Sequence, residues 1–119
     1  MKVQIIDTVF NIQFIRNPIR VKYRKYKQDG SFKVKTGIRT DTYCKIRVGD
    51  QVISTGKSSC SPVDKYNHVK GKALAMERAL LNDDFIDTGV LNYDMVPIRE
   101  VRTEFWYNFA FEFGAGVEN

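Results

Sequence analysis

The sequence predicts an α+β fold: an antiparallel β-sheet of about five or six strands, packed against one long amphipathic helix and followed by an aromatic carboxyl-terminal strand or helix. Three observations predict it. Apolar and charged residues alternate with a period of two through the first half; the period lengthens to three and four residues after Ser61-Pro62-Val63-Asp64; and aromatic residues occupy every second position from Phe105 to Phe113. A chain of 119 residues with 43% apolar residues suits a single domain, 1–119, with no linker.

Lys2 to Ile15 is β-branched and aromatic throughout and reads as one long strand. Asn17-Pro18 predicts a turn, Ile19 to Lys27 a second strand, Gln28-Asp29-Gly30-Ser31 another turn, and Phe32 to Lys35 a short third strand. Thr42 to Val48 and Gln51 to Thr55 form a hairpin about Gly49-Asp50, which would set Cys44 opposite Thr55. A serine cap and proline at the first helical position open a helix from Pro62 to Leu81, with Tyr66, Val69, Ala73, Met76 and Leu80 as its stripe, widened by Leu74 and Leu81. Gly71 weakens that helix by about 1 kcal/mol relative to Ala, which implies close packing or a bend. Asn82 to Asp94 reads as a loop, with a short strand over Val90 to Tyr93. Beyond Pro97, residues 98–113 fit both a helix and a strand, and their aromatic content favours the strand.

Charge is distributed unevenly. Residues 16 to 47 hold eleven basic and two acidic residues, a net +9, whereas 82 to 119 hold two basic and eight acidic, a net −6; the whole chain carries +5. Because successive strand residues point to opposite faces, alternation of Arg20, Lys22 and Arg24, Lys33 and Lys35, and Lys45 and Arg47 with apolar residues predicts one apolar sheet face and one face of cations. Such a face suits a polyanion. Candidate phosphate contacts are Arg20, Lys22, Arg24, Lys45 and Arg47, with Lys70, Lys72 and Arg78 from the helix and Arg99 and Arg102 beside the aromatic block; candidate stacking rings are Tyr43, Phe105 and Trp106. The charge polarity also predicts a homo-oligomer.

Catalytic and metal constellations are missing from the sequence, so no enzyme activity, cofactor or metal is expected. His68 is the sole histidine, Cys44 and Cys60 form no CxxC pair, and no GxSxG, GxGxxG or P-loop pattern occurs. The adjacent acids Asp83 and Asp84 read as solvated loop residues. Nothing in Met1 to Ile15 resembles a signal peptide and no long apolar run occurs, so a cytoplasmic protein with reduced thiols and no membrane partner is expected.

Two resemblances sharpen these expectations. Cys44 to Leu81 resembles the carboxyl half of a double-stranded RNA binding domain: a hairpin ending in Gly56-Lys57-Ser58, then a helix with early lysines and Ala73 to Leu80 late. That resemblance implies a module gripping phosphates through helix lysines, although the family's first helix has no counterpart in Met1 to Ile15. The segment Cys60-Ser61-Pro62-Val63-Asp64-Lys65-Tyr66-Asn67, with Lys70-Gly71-Lys72-Ala73 and Arg78-Ala79-Leu80, is similar to a pattern of small bacteriophage proteins and resembles the anti-Thoeris sponge family. This second resemblance implies an oligomer in the cytoplasm of an infected bacterium. It would capture a phosphorylated immune signal, a cyclic ADP-ribose isomer or cyclic oligonucleotide, without catalysis and at pockets lined by more than one subunit. Nucleic-acid binding, or inhibition of a CRISPR nuclease, is the alternative expectation.

Overall fold

A computed structural model describes residues 1–82, Phe85 and 98–114. Four strands form one antiparallel meander in the order β1-β2-β3-β4: β1 Lys2–Ile5, β2 Thr8–Tyr26, β3 Phe32–Val48 and β4 Gln51–Cys60. Two helices, α1 His68–Leu81 and α2 Ile98–Phe113, cover one face. The α+β class and antiparallel sheet match the sequence reading, but with four strands where five or six were expected. The expected loop of Asn82 to Asp94, its strand at Val90 to Tyr93, and Asp83 and Asp84 lie outside the described residues, apart from Asn82 and Phe85.

The strand count falls because β2 and β3 run straight through the expected breaks. Pro18 pairs with Thr40 inside β2, where β1, which reaches only as far as Asn11, no longer flanks the strand. An edge strand tolerates a proline, so Asn17-Pro18 makes no turn. The first break comes instead at Ile6-Asp7, between Ile5 and Thr8, where Ile6 takes a left-handed φ of 54°. The second hairpin also departs by one residue. A bulge between Ile46 and Arg47 moves the register, so Cys44 faces Gly56 rather than Thr55.

Phe10, Ile12, Cys44 and Ile46 point from the sheet into the core and meet Met76, Leu80, Phe85, Val101, Phe105 and Phe109. The helix α1 lies on β4 through small residues. A Cβ on Gly56 would collide with the backbone of Ala75 and Ala79, and Ser54 and Ser58 donate hydrogen bonds of 2.7 Å to the carbonyls of Ala79 and Gly71. A Cβ on Gly71 would come within 2.9 Å of Thr42 Oγ1, the close packing its presence implied. This seam of Gly71, Ala75 and Ala79 turns Leu81 out to solvent.

Helix α1 begins six residues later than expected. Ser61 and Pro62 form a tight turn, closed by Asp64 N–H on Ser61 C=O at 3.1 Å, because serine followed by proline suits a turn as well as a helix start. Asn67 is the cap, its side chain accepting from the amides of Val69 at 3.0 Å and Lys70 at 3.1 Å. Residues 98–113 form a helix, not the favoured strand. Phe105, Phe109 and Phe113 stand four apart, a spacing that satisfies both periods, and the packing of Phe105 on Phe10 at 5.2 Å and of Phe109 on Phe14 at 5.8 Å selects the helix.

Candidate nucleic-acid interface

Beyond the helices, β2 and β3 continue as a two-stranded arm of paired residues from Arg16↔Thr42 to Tyr26↔Phe32. At 3.3 Å per residue the arm reaches about 36 Å. The radius of gyration is 17.5 Å, against about 13.5 Å for a compact chain of this length, and the longest dimension is 59 Å. The tip is firmly hydrogen-bonded: Lys27 N–H donates to Ser31 C=O at 2.7 Å, and Asp29 accepts from Ser31 N–H at 2.9 Å and Oγ at 2.6 Å. Those hydrogen bonds from Ser31 hold the Asp29 carboxyl below its ordinary range. The acid at the arm's tip is therefore engaged by the turn itself.

The register overturns the expected single face of cations. Paired residues share a face, and odd positions pair with odd: Ile19↔Arg39, Val21↔Gly37, Tyr23↔Lys35 and Lys25↔Lys33; even positions pair with even: Arg20↔Ile38, Lys22↔Thr36 and Arg24↔Val34. The apolar residues of β2 are odd and those of β3 even, so each face of the arm carries one cationic row beside one apolar row. On the face continuous with the helix-covered side run Arg16, Arg20, Lys22 and Arg24; on the other run Lys33, Lys35 and Arg39, joined by Lys25. Among the described residues the ion pairs are Arg39 and Lys57 with Asp41, at 3.1 and 3.6 Å, and the terminal amine with Glu112 at 3.9 Å. Arg16, Arg20, Lys22, Arg24, Lys25, Lys33 and Lys35 take no part in them. Arg16 lies over Tyr66 at 4.8 Å and Arg24 over Phe32 at 4.6 Å.

Asp41 stands where arm joins body. It is fully buried, accepting from Ser59 Oγ at 2.7 Å and from Arg39 Nε and Nη2 at 3.1 and 3.2 Å. Burial pushes its carboxyl up, but the hydrogen bonds from Ser59 and Arg39 and the charges of Arg39 and Lys57 outweigh it, leaving the group below its ordinary range.

The other expected contacts are dispersed. Arg47 and Tyr43 lie on the body's helix-free face, with Lys57 Nζ 5.7 Å from the Tyr43 ring. Lys70 lines a recess of about 450 Å³ formed by Thr40, Ser58, Lys65, Tyr66 and the start of α1. Lys72 sits over Phe113 at 4.5 Å, Arg78 donates to Lys57 C=O at 2.5 Å and Arg102 to Leu80 C=O at 3.3 Å, all structural engagements. Arg99 is exposed at the start of α2. Phe105 has no exposed surface and offers no ring to a ligand; Trp106 is half-buried against Phe109. Arg99, Arg102 and Trp106 thus share α2, whereas Arg20 and Arg24 lie on the β2 side of the arm. Sequence reasoning passed over Arg16, Arg39 and Lys57 as site residues, and Tyr66 and Lys65 beside the recess. Among the described residues no group of metal-ligating side chains forms, and no helix is long and apolar enough to cross a membrane. Comparison with protein-family models, curated proteins and solved structures finds no match.

Proposed function

We propose that this protein binds duplex DNA, with the β2–β3 arm lying in the major groove. The observation that carries the reading is the register of the arm, which sets cations along both faces; among the described residues the one ion pair they make is that of Arg39 with Asp41 at the base. A groove surrounds its occupant with phosphates, so charge on both faces is useful there and wasteful against a flat surface. The dimensions agree: a two-stranded ribbon fits the roughly 12 Å major groove of B-DNA, whereas the deep, narrow A-form groove does not admit one. An arm of about 36 Å spans close to one helical turn. Val34, Ile38 and Phe32 are exposed beside the cations and can meet thymine methyl groups and sugars.

Fluorescence anisotropy with a duplex of about 16 base pairs tests this. Binding to the DNA duplex with weaker binding to the RNA duplex of the same sequence is expected; equal or preferential binding to RNA, or no binding to either, overturns the reading.

The recess beside α1 favours a second reading, capture of a small phosphorylated nucleotide. Its volume of about 450 Å³ is of ligand size, and Lys65, Lys70, Tyr66 and Asp64 line it. Calorimetry with cyclic ADP-ribose isomers and cyclic di- and trinucleotides tests that reading, and absence of heat with all of them removes it.

A further inference from the structure

From the geometry of the body's helix-free face we infer a second contact, for single-stranded DNA emerging from the duplex held by the arm. The inference rests on the duplex reading for its orientation and on separate residues for its chemistry. Both helices lie on one side of the sheet, and among the described residues no element packs on the other side. That open side carries Asn11↔Arg47↔Val52, Gln13↔Lys45↔Thr55 and Ile15↔Tyr43↔Lys57 in neighbouring rows.

Three features of these rows suit a single strand. The cations Lys45 and Arg47 stand together, and the sole carboxylate in the neighbouring row, Asp41, is buried and paired with Arg39 and Lys57. Tyr43 is half-buried beside Ile15, with Lys57 Nζ 5.7 Å from its ring, and offers a stacking partner indifferent to base identity. The amides of Asn11 and Gln13 flank the cations and can bond the base edges that a separated strand exposes. Alternate residues on a strand repeat at about 6.7 Å, so from Tyr43 to Arg47 the face offers about 13 Å, room for two or three nucleotides. Tyr43, Lys45 and Arg47 continue the β3 row of Lys33, Lys35 and Arg39 from the arm, with the buried, paired Asp41 between Arg39 and Tyr43. The structure thereby assigns a duplex with a single-stranded tail as the preferred ligand.

The test compares a blunt duplex with the same duplex bearing a tail of about six nucleotides at either end polarity, for the wild type, Tyr43→Ala, Tyr43→Phe and the double variant Lys45→Gln/Arg47→Gln. A tail of one polarity is expected to tighten binding by about tenfold; Tyr43→Ala and the double variant lose that gain while blunt-duplex affinity stays within about twofold, and Tyr43→Phe keeps it. Thermal melting of each variant separates lost contact from lost fold. Equal wild-type affinity for tailed and blunt duplexes overturns the inference while leaving the arm reading standing. Binding of the tail without the blunt duplex overturns the arm reading and retains this face.

Discussion

Gly56 and Ile6 are two positions where backbone geometry sets the identity of the side chain. Helix α1 approaches β4 so closely at Gly56 that even one methyl meets the backbone of Ala75 and Ala79, which cannot rotate away. Gly56→Ala is expected to destabilise the protein by about 3 kcal/mol, or to prevent folding, as read by urea denaturation. Ile6 holds a left-handed φ of 54° with its side chain largely in water, an expensive conformation for a β-branched residue. Ile6→Asn, which tolerates that region, is expected to raise stability by about 1 kcal/mol in the same measurement. Neither residue was legible in the sequence. Gly56 lay between strand-like residues with nothing to mark the helix above it, and Ile6 is the wrong residue type for the turn it makes. Gly71, within an otherwise regular helix pattern, did signal its tight contact. Cys44 follows burial simply: removed from water, its thiol is pushed up to about 12 and is held as a small apolar group.

At the scale of elements, the base of the arm depends on Asp41. Its carboxylate gathers Ser59, Arg39 and Lys57 from β3 and β4 in a fully buried position, tying the arm's root to the body. Because its folded pKa lies below the unfolded value of about 3.9, its contribution is present above that pH and disappears as pH falls through the depressed folded value. Wild-type stability is therefore expected to hold from neutral pH to about pH 4.5 and to decline below, with Asp41→Asn about 2 kcal/mol less stable at pH 7 and showing less of that acid-side decline in pH-resolved denaturation. Periodicity places the β3–β4 hairpin about Gly49-Asp50, though not its register or the full length of its strands. It failed where two patterns coincided: Phe105, Phe109 and Phe113 satisfy both helix and strand, and only the rings of Phe10 and Phe14 decide between them. Pro18 misled for a related reason, since its cost depends on whether a neighbouring strand is present, a fact of topology rather than composition.

For the whole molecule, the decisive quantity is the parity of the arm's register. The cation-rich stretch was visible in the sequence, but its sidedness depends on Tyr26 pairing with Phe32, which sets the basic residues of β2 and β3 on opposite faces. One paired position nearer or farther would have produced the single cationic face that alternation suggested. With charge on both faces, the arm is suited to a surrounding polyanion, and the elongated shape separates it from the aromatic core, so arm substitutions should leave folding unchanged. The most direct measurement is the salt dependence of duplex DNA affinity for the wild type and for Arg20→Gln/Arg24→Gln/Lys35→Gln. Six or so phosphate contacts predict a slope of log K against log salt of about −5, reduced by about 3 in the triple variant. A slope near zero, or one that the three substitutions leave unchanged, would contradict the account.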